Sequence, residues 1–92
     1  MSARLIVIAG RVQGVGWRDW MVREASRLGV AGWVRNRRHD GAVEALLGGP
    51  EDAVEELLRA CRRGPRGAGV DSITEHLADP PDEPGFHRLP SV

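Results

Sequence analysis

The residues best suited to chemistry in this chain are two glycines, Gly14 and Gly16, the Trp17-Arg18 pair that follows them, and Asn36 at the end of an apolar stretch. Two glycines spaced by one residue ahead of a helix can aim several backbone N–H groups at one point and so form a nest for an anion. The same spacing serves an ordinary tight turn, and the glycines alone do not decide between the two. No third glycine follows at the dinucleotide-fold spacing, and no Lys-Ser/Thr pair completes a P-loop. Arg18 is the odd member. A cation in the first turn of a helix is disfavoured by the dipole, typically by about 0.3–1 kcal/mol, unless an anion sits there.

The elements that must position these residues follow from periodicity. Arg4 to Gly10 is apolar at every central position and rich in β-branched residues, which predicts a strand buried on both faces. The loop from Arg11 to Gly16 leads into a helix from about Trp17 to Leu28, where Trp17, Met21, Ala25 and Leu28 share a face with Trp20, and Gly29 stops it. Val30 to Arg37 and Ala42 to Leu47 read as strands joined by Arg38-His39-Asp40-Gly41, in which Asp-Gly is a hairpin signal. Pro50 suits the first position of a second helix, Glu51 and Asp52 complement its dipole, and Val54, Leu57, Leu58 and Cys61 form its apolar stripe. Arg59, Arg62 and Arg63 fall near its end before Gly64-Pro65. Gly69 to Leu77 predicts a fourth strand. After a proline-rich turn over residues 79–85, Phe86 to Leu89 is open to reading as a short edge strand limited by Pro90.

The order β-α-β-β-α-β predicts an α+β, ferredoxin-like sandwich: an antiparallel sheet with two helices on one face, with a short fifth strand left open. In this topology the first and second strands run the same way, because a crossover helix joins them. The glycine loop and Asn36 therefore lie at one end of the sheet, about two strand spacings or roughly 10 Å apart. If the hairpin loop has two or four residues, Asn36 shares the helix-facing side with Val34, Val43, Ala45 and Leu47. An amide buried there without partners would cost on the order of 1–3 kcal/mol. Alternatively Asn36 simply begins the turn, where Asn is common, and parity leaves both readings standing.

Composition bounds the function. The 92 residues make one domain, residues 1–92, with no room for a second core. Thirteen Arg balance thirteen acids, which argues against a nucleic-acid binder or a basic membrane peptide. The N-terminal half carries eight Arg against four acids and the remainder five against nine, a weak hint that the N-terminal half faces an anion. One Cys forbids an internal disulfide and fits a reducing compartment, and the apolar run Leu5 to Ala9 is too short for a signal-peptide core or a membrane span. The expectation is a cytoplasmic monomer without membrane or nucleic-acid partners.

Two long segments, Gly10-Arg11-Val12-Gln13-Gly14-Val15-Gly16-Trp17-Arg18 and Gly32-Trp33-Val34-Arg35-Asn36, resemble the two signatures of the acylphosphatase family. Asp40-Gly41-Ala42-Val43-Glu44, Gly64-Pro65 and the Ala68-x-Val70 pattern extend the resemblance over nearly the whole chain. Trp17 stands where the family usually has Phe, Ala42 where Thr is common, and the C-terminal Phe86-His87-Arg88-Leu89-Pro90 is poorer in β-branched residues than the usual last strand. The resemblance implies hydrolysis of the carboxyl–phosphate bond of acyl phosphates, releasing inorganic phosphate, without metal or other cofactor. It also implies that Gln13, Gly14, Val15, Gly16, Trp17 and Arg18 bind the phosphate, with Arg18 as clamp, and that Asn36 orients the attacking water.

Other residues invite plainer readings. His39, His76 and His87 have no metal-ligand spacing and read as turn or surface residues. Cys61 reads as a small core hydrophobe and Trp17 and Trp20 as packing. Trp33 on an open sheet face is one aromatic, too few for an RNA-stacking surface. Arg35, Arg37 and Arg38 either steer anionic substrate or form a solvated edge. Three functions are consistent with the pattern: the enzyme, a non-catalytic anion-binding module on the same fold that would serve carbamoyl-phosphate handling, and, least, a nucleic-acid binder.

Overall fold

In a computed structural model, which describes residues 2–92, the chain runs β1 (Ser2–Arg11), α1 (Trp17–Leu28), β2 (Ala31–Asn36), β3 (Val43–Gly49), α2 (Glu51–Arg63), β4 (Gly69–Leu77) and β5 (Phe86–Arg88). One sheet holds all five strands in the order β4-β1-β3-β2-β5. This is the predicted ferredoxin-like sandwich with its fifth strand present, and β3 separates β1 from β2 as the topology requires. The sheet is mixed, however, and not wholly antiparallel. β5 runs parallel to β2, whereas the other pairings are antiparallel. The reason is the route of the chain: β4 ends at one end of the sheet, and the connection crosses that end to the opposite edge. β5 must then start there and run back alongside β2.

Burial is one-sided. Ile6, Ile8, Val34, Val43, Ala45 and Leu47 are all fully buried beneath the helices. Leu5 and Val7, which alternate with them, are only half-buried. The expectation that β1 is buried on both faces is thus corrected: both helices cover one side of the sheet, and nothing of similar extent covers the other. Cross-strand pairs Ile6↔Ala45 and Ile8↔Val43 place the β-branched side chains of β1 against the small and branched ones of β3.

The helix ends explain two further boundary shifts. Gly29, left-handed at φ 75°, closes α1, and the Val30 N–H then donates to the Ala25 carbonyl at 2.9 Å. Val30 is therefore part of the helix stop, with its side chain buried, and β2 begins one residue later than predicted. Pro50 is the N-cap of α2 at φ −56°, ψ 139°, one position before the first helical residue: its ψ is extended, while its carbonyl already accepts the first bond of the helical ladder, from the Val54 N–H at 3.0 Å. Along α2, Val54, Leu57 and Cys61 are fully buried and Leu58 nearly so. Each such side chain stabilises the fold by at most about 1.5–3 kcal/mol. Burial pushes the Cys61 thiol up to about 12, as expected of an inert core residue.

The junction of α2 with the site helix is glycine-dependent. Gly64 has φ 68°, and a Cβ on it would overlap the six-membered ring of Trp17. Gly64→Ala is expected to destabilise the fold by about 1–3 kcal/mol, from overpacking together with the left-handed backbone. An unchanged urea midpoint would show that the ring yields freely.

Candidate active site

A bulge ends the regular part of β1. Its pairing with β4 shifts register between Ala9 and Gly10, and the Val12 N–H turns back to the Gly10 carbonyl at 3.1 Å. Val12 is fully buried and anchors the start of the loop, whereas Gly14 and Gly16 are exposed. Both glycines are left-handed, at φ 75° and 77°. That conformation turns successive N–H groups to one side. Gly16 is the N-cap of α1 and offers no side-chain cap, and the first hydrogen bond of the helix is Trp20 N–H to the Gly16 carbonyl. Among the described residues, the backbone N–H groups from Gln13 to Asp19 have no backbone acceptor. A run of donors at a helix N-terminus is suited to an anion.

Arg18 stands in the first turn of α1 and forms no ion pair among the described residues. Behind it Trp17 is 2% exposed and packs edge-on against Trp20, with ring centroids 5.2 Å apart. The Trp17 indole N–H is buried without a partner among the described residues. Phe, common in the family at this position, would bring no such group.

Asn36 closes β2. It lies opposite Val43, Val34 lies opposite Ala45, and the Arg37 N–H donates to the Ala42 carbonyl at 2.9 Å, so the four-residue loop 38–41 puts Asn36 on the helix-facing side. There it is half-buried. Its backbone is fixed on the outer edge as well, since its carbonyl accepts the Val92 N–H at 2.9 Å. The hairpin beyond is tightened by Asp40, whose carboxylate accepts the Ala42 N–H at 3.1 Å. That bond holds the Asp40 carboxyl below its usual range, helped by Arg37.

Gln13 joins the two halves of the site. Its side-chain amide donates to the carbonyls of Arg37 and Ala42, each at 3.0 Å, and so ties the glycine loop to the residues just past Asn36. Gln13→Ala is expected to lose about 1–2 kcal/mol of stability from the two bonds. It should also lower kcat/KM roughly tenfold, because the loop and Asn36 lose their common strut. Wild-type kcat/KM in this variant would contradict the role.

Gln13, Gly14, Gly16, Trp17, Arg18 and Asn36 all line one open cavity of about 130 Å³. Val15 does not line it; its side chain packs on the core instead. Three further residues do, namely Val12, Asp19 and Arg88. Arg88 donates to the Asp19 carboxylate at 2.6 Å and thereby holds Asp19 below the usual carboxylate range. Arg88 was legible in principle: Phe86 is apolar and faces the core, and alternate strand residues share a face.

A larger cavity of about 510 Å³ lies elsewhere, between Trp33, Leu46 and the loop carrying Asp79, Asp82 and Glu83. Its rim of carboxylates repels an anion, so the smaller, cationic cavity is the candidate. None of the three histidines lines that cavity. Arg35 and Arg37 are engaged by Glu44 at 2.6 Å and Asp40 at 2.6 Å, with Arg35 also stacked over Trp33, so both are held in the sheet's own network.

Fold and cavity together define a small α+β sandwich with a cationic, donor-rich cradle at the start of its first helix. Residues 4–88 match the acylphosphatase family model, and the chain belongs to the acylphosphatase family, the hydrolases that split acyl phosphates into carboxylate and phosphate. The acylphosphatase of Acidiphilium cryptum is 63% identical over 86 residues, covering 94% of this chain and 93% of that protein. The crystal structure of the Bacillus subtilis acylphosphatase superposes with a TM-score of 0.89 at 34% identity, covering 97% and 99% of the two chains. Full-length HypF, in its phosphate- and nucleotide-bound form, also matches at TM-score 0.89 and 26% identity, over 98% of this chain and 12% of that one. No helix among the described residues is long and apolar enough to cross a membrane.

Proposed function

We propose that this enzyme hydrolyses acyl phosphates by holding the phosphoryl group between Arg18 and the N–H groups of residues 13–18, while Asn36 orients the attacking water. The observation that carries this reading is the convergence of Arg18, the left-handed glycine loop and Asn36 on one cavity. Water attacks phosphorus in line; the new O–P bond forms as the bond to the acyl oxygen breaks. The electron pair leaves with the carboxylate, and the water's proton passes to phosphate oxygen or solvent. A carboxylate is a good leaving group, so no general acid is called for. The phosphoryl transition state is loose, so the water needs positioning more than deprotonation. Alignment and stabilisation of the developing charge then supply the rate.

The working unit is a single domain, residues 1–92, acting as a monomer on a small acyl phosphate in the cytoplasm, without nucleic acid or membrane. Near-zero net charge and one buried Cys support this. A non-catalytic anion-binding role for the same fold has one point in its favour, the occurrence of such a domain within the much longer HypF chain.

Phosphate release from benzoyl phosphate by the purified protein, with EDTA present, separates the two. Turnover is expected, with kcat nearly constant between about pH 5 and 8 because no side chain acts as titrating base. Asp19 does not disturb this. Its folded pKa is depressed, so the Arg88 pairing is fully present above the unfolded value near 4 and lost only as pH falls through the lower folded value. A bell centred near an ordinary histidine pKa would contradict the mechanism, and absence of turnover would favour the binding module.

A further inference from the structure

β2 has β3 on one edge and β5 on the other, but β5 stops short of the site. Its pairing with β2 ends at Val34↔Arg88, before Asn36 is reached. The segment after β5 supplies the missing neighbour. The Leu89 N–H donates to the Val34 carbonyl at 2.9 Å, and the Val92 N–H donates to the Asn36 carbonyl at 2.9 Å. The Val92 carbonyl in turn accepts the Arg38 N–H at 2.7 Å, so one residue grips the chain on both sides of Arg37. At the β3 edge the Arg37 N–H donates to the Ala42 carbonyl at 2.9 Å, and the Gln13 amide holds the Arg37 carbonyl at 3.0 Å. We propose that Leu89–Val92 is a positioning segment for the hydrolysis, and that Val92, through its main chain, sets where Asn36 holds the attacking water.

Two features support the assignment, which rests on the hydrolytic reading above. The Val92 side chain is 52% exposed, so packing does little to hold the residue and its two main-chain bonds define the contact. Without them the outer edge of β2 beyond Val34 would be a bare strand end, with its carbonyl and N–H groups left to water. The direction of the Asn36 side chain follows from its backbone torsions, and a displacement of about 1 Å at a reacting centre can cost up to about 10²-fold in rate. In addition, Val92 makes no main-chain hydrogen bond to residues 13–18 among the described residues. Its influence therefore reaches the water-holding residue and not the loop donors assigned to phosphate.

The test removes the bonds one by one. Val92→Pro deletes the N–H that Asn36 accepts, and shortening the chain to end at Ser91 deletes both bonds. Each should lower kcat for benzoyl phosphate roughly tenfold, while inhibition by inorganic phosphate stays at the wild-type level. Val92→Ala keeps both main-chain bonds and should retain most of the rate. The side-chain amide signals of Asn36 in a ¹H–¹⁵N correlation spectrum should shift in Val92→Pro, with the Gly14 and Gly16 backbone signals unmoved. A merely structural brace would lower the urea midpoint and weaken turnover and phosphate inhibition together, and that result would overturn the proposal. So would wild-type kcat, or unmoved Asn36 amide signals, in both Val92→Pro and the shortened chain. Wild-type protein inert toward benzoyl phosphate would instead defeat the hydrolytic reading, and this inference with it.

Discussion

Asn36→Ala is expected to lower kcat by about 10²–10³-fold, the cost of removing one well-placed positioning donor, while inhibition by inorganic phosphate changes little. The split follows from where the residue sits. Asn36 occupies the end of β2, whereas the loop donors and Arg18 belong to the segment after β1. On the proposed mechanism the truncation would leave the phosphate contacts in place and remove only the group assigned to the water. The backbone will not shift to compensate, since it is pinned by pairing with Val43 and by the Val92 N–H on its other edge. Stability should hold or rise slightly, because a polar amide on an otherwise apolar face is exchanged for a methyl group. Steady-state kinetics with benzoyl phosphate, phosphate inhibition and urea denaturation on one preparation read all three. A variant turning over at near wild-type rate would remove Asn36 from the mechanism.

Arg18→Ala should be more severe and of a different kind. A guanidinium stabilising charge in a phosphoryl-transfer transition state is worth about 10³–10⁵ in rate. As the proposed clamp it would also hold the ground-state phosphate, so phosphate inhibition should be lost along with turnover. The helix itself should not suffer. Among the described residues Arg18 has no ion-pair partner, and removing a cation from a helix N-terminus relieves an unfavourable dipole contact of about 0.3–1 kcal/mol. Arg18→Lys should recover part of the binding but little of the rate, since an ammonium is a point charge and cannot bridge two phosphate oxygens in a plane. Phosphate inhibition at wild-type strength in Arg18→Ala would defeat the clamp.

How much of this could be read from the chain depends on the range of the interactions concerned. Helix α1 was legible because Trp17, Met21 and Ala25 recur at helical spacing, and all three are buried. The face of Asn36 was legible because strand parity and a four-residue loop are local properties. The co-location of Arg18 and Asn36 followed from the crossover helix, which makes β1 and β2 run the same way, a general rule rather than a feature of these residues.

What escaped depended on contacts far apart in the chain. The amide of Gln13 reaches carbonyls at Arg37 and Ala42, and no local pattern announces that. Arg88 enters the cavity only because β5 pairs parallel with β2 in a register that sets Arg88 opposite Val34. The burial of β1 was overestimated because an apolar run does not reveal whether its second face is covered.

The central claim is that one anion cradle, made by the Gly14–Arg18 segment, faces Asn36 across a single cavity. A crystal structure of the protein with inorganic phosphate tests it most directly. The expected result is a phosphate in that cavity, with its oxygens about 2.7–3.1 Å from loop N–H groups and the Arg18 guanidinium, and a water beside it held by the Asn36 carboxamide. A phosphate bound elsewhere on the molecule, with the cradle empty at saturating concentration, would contradict the account.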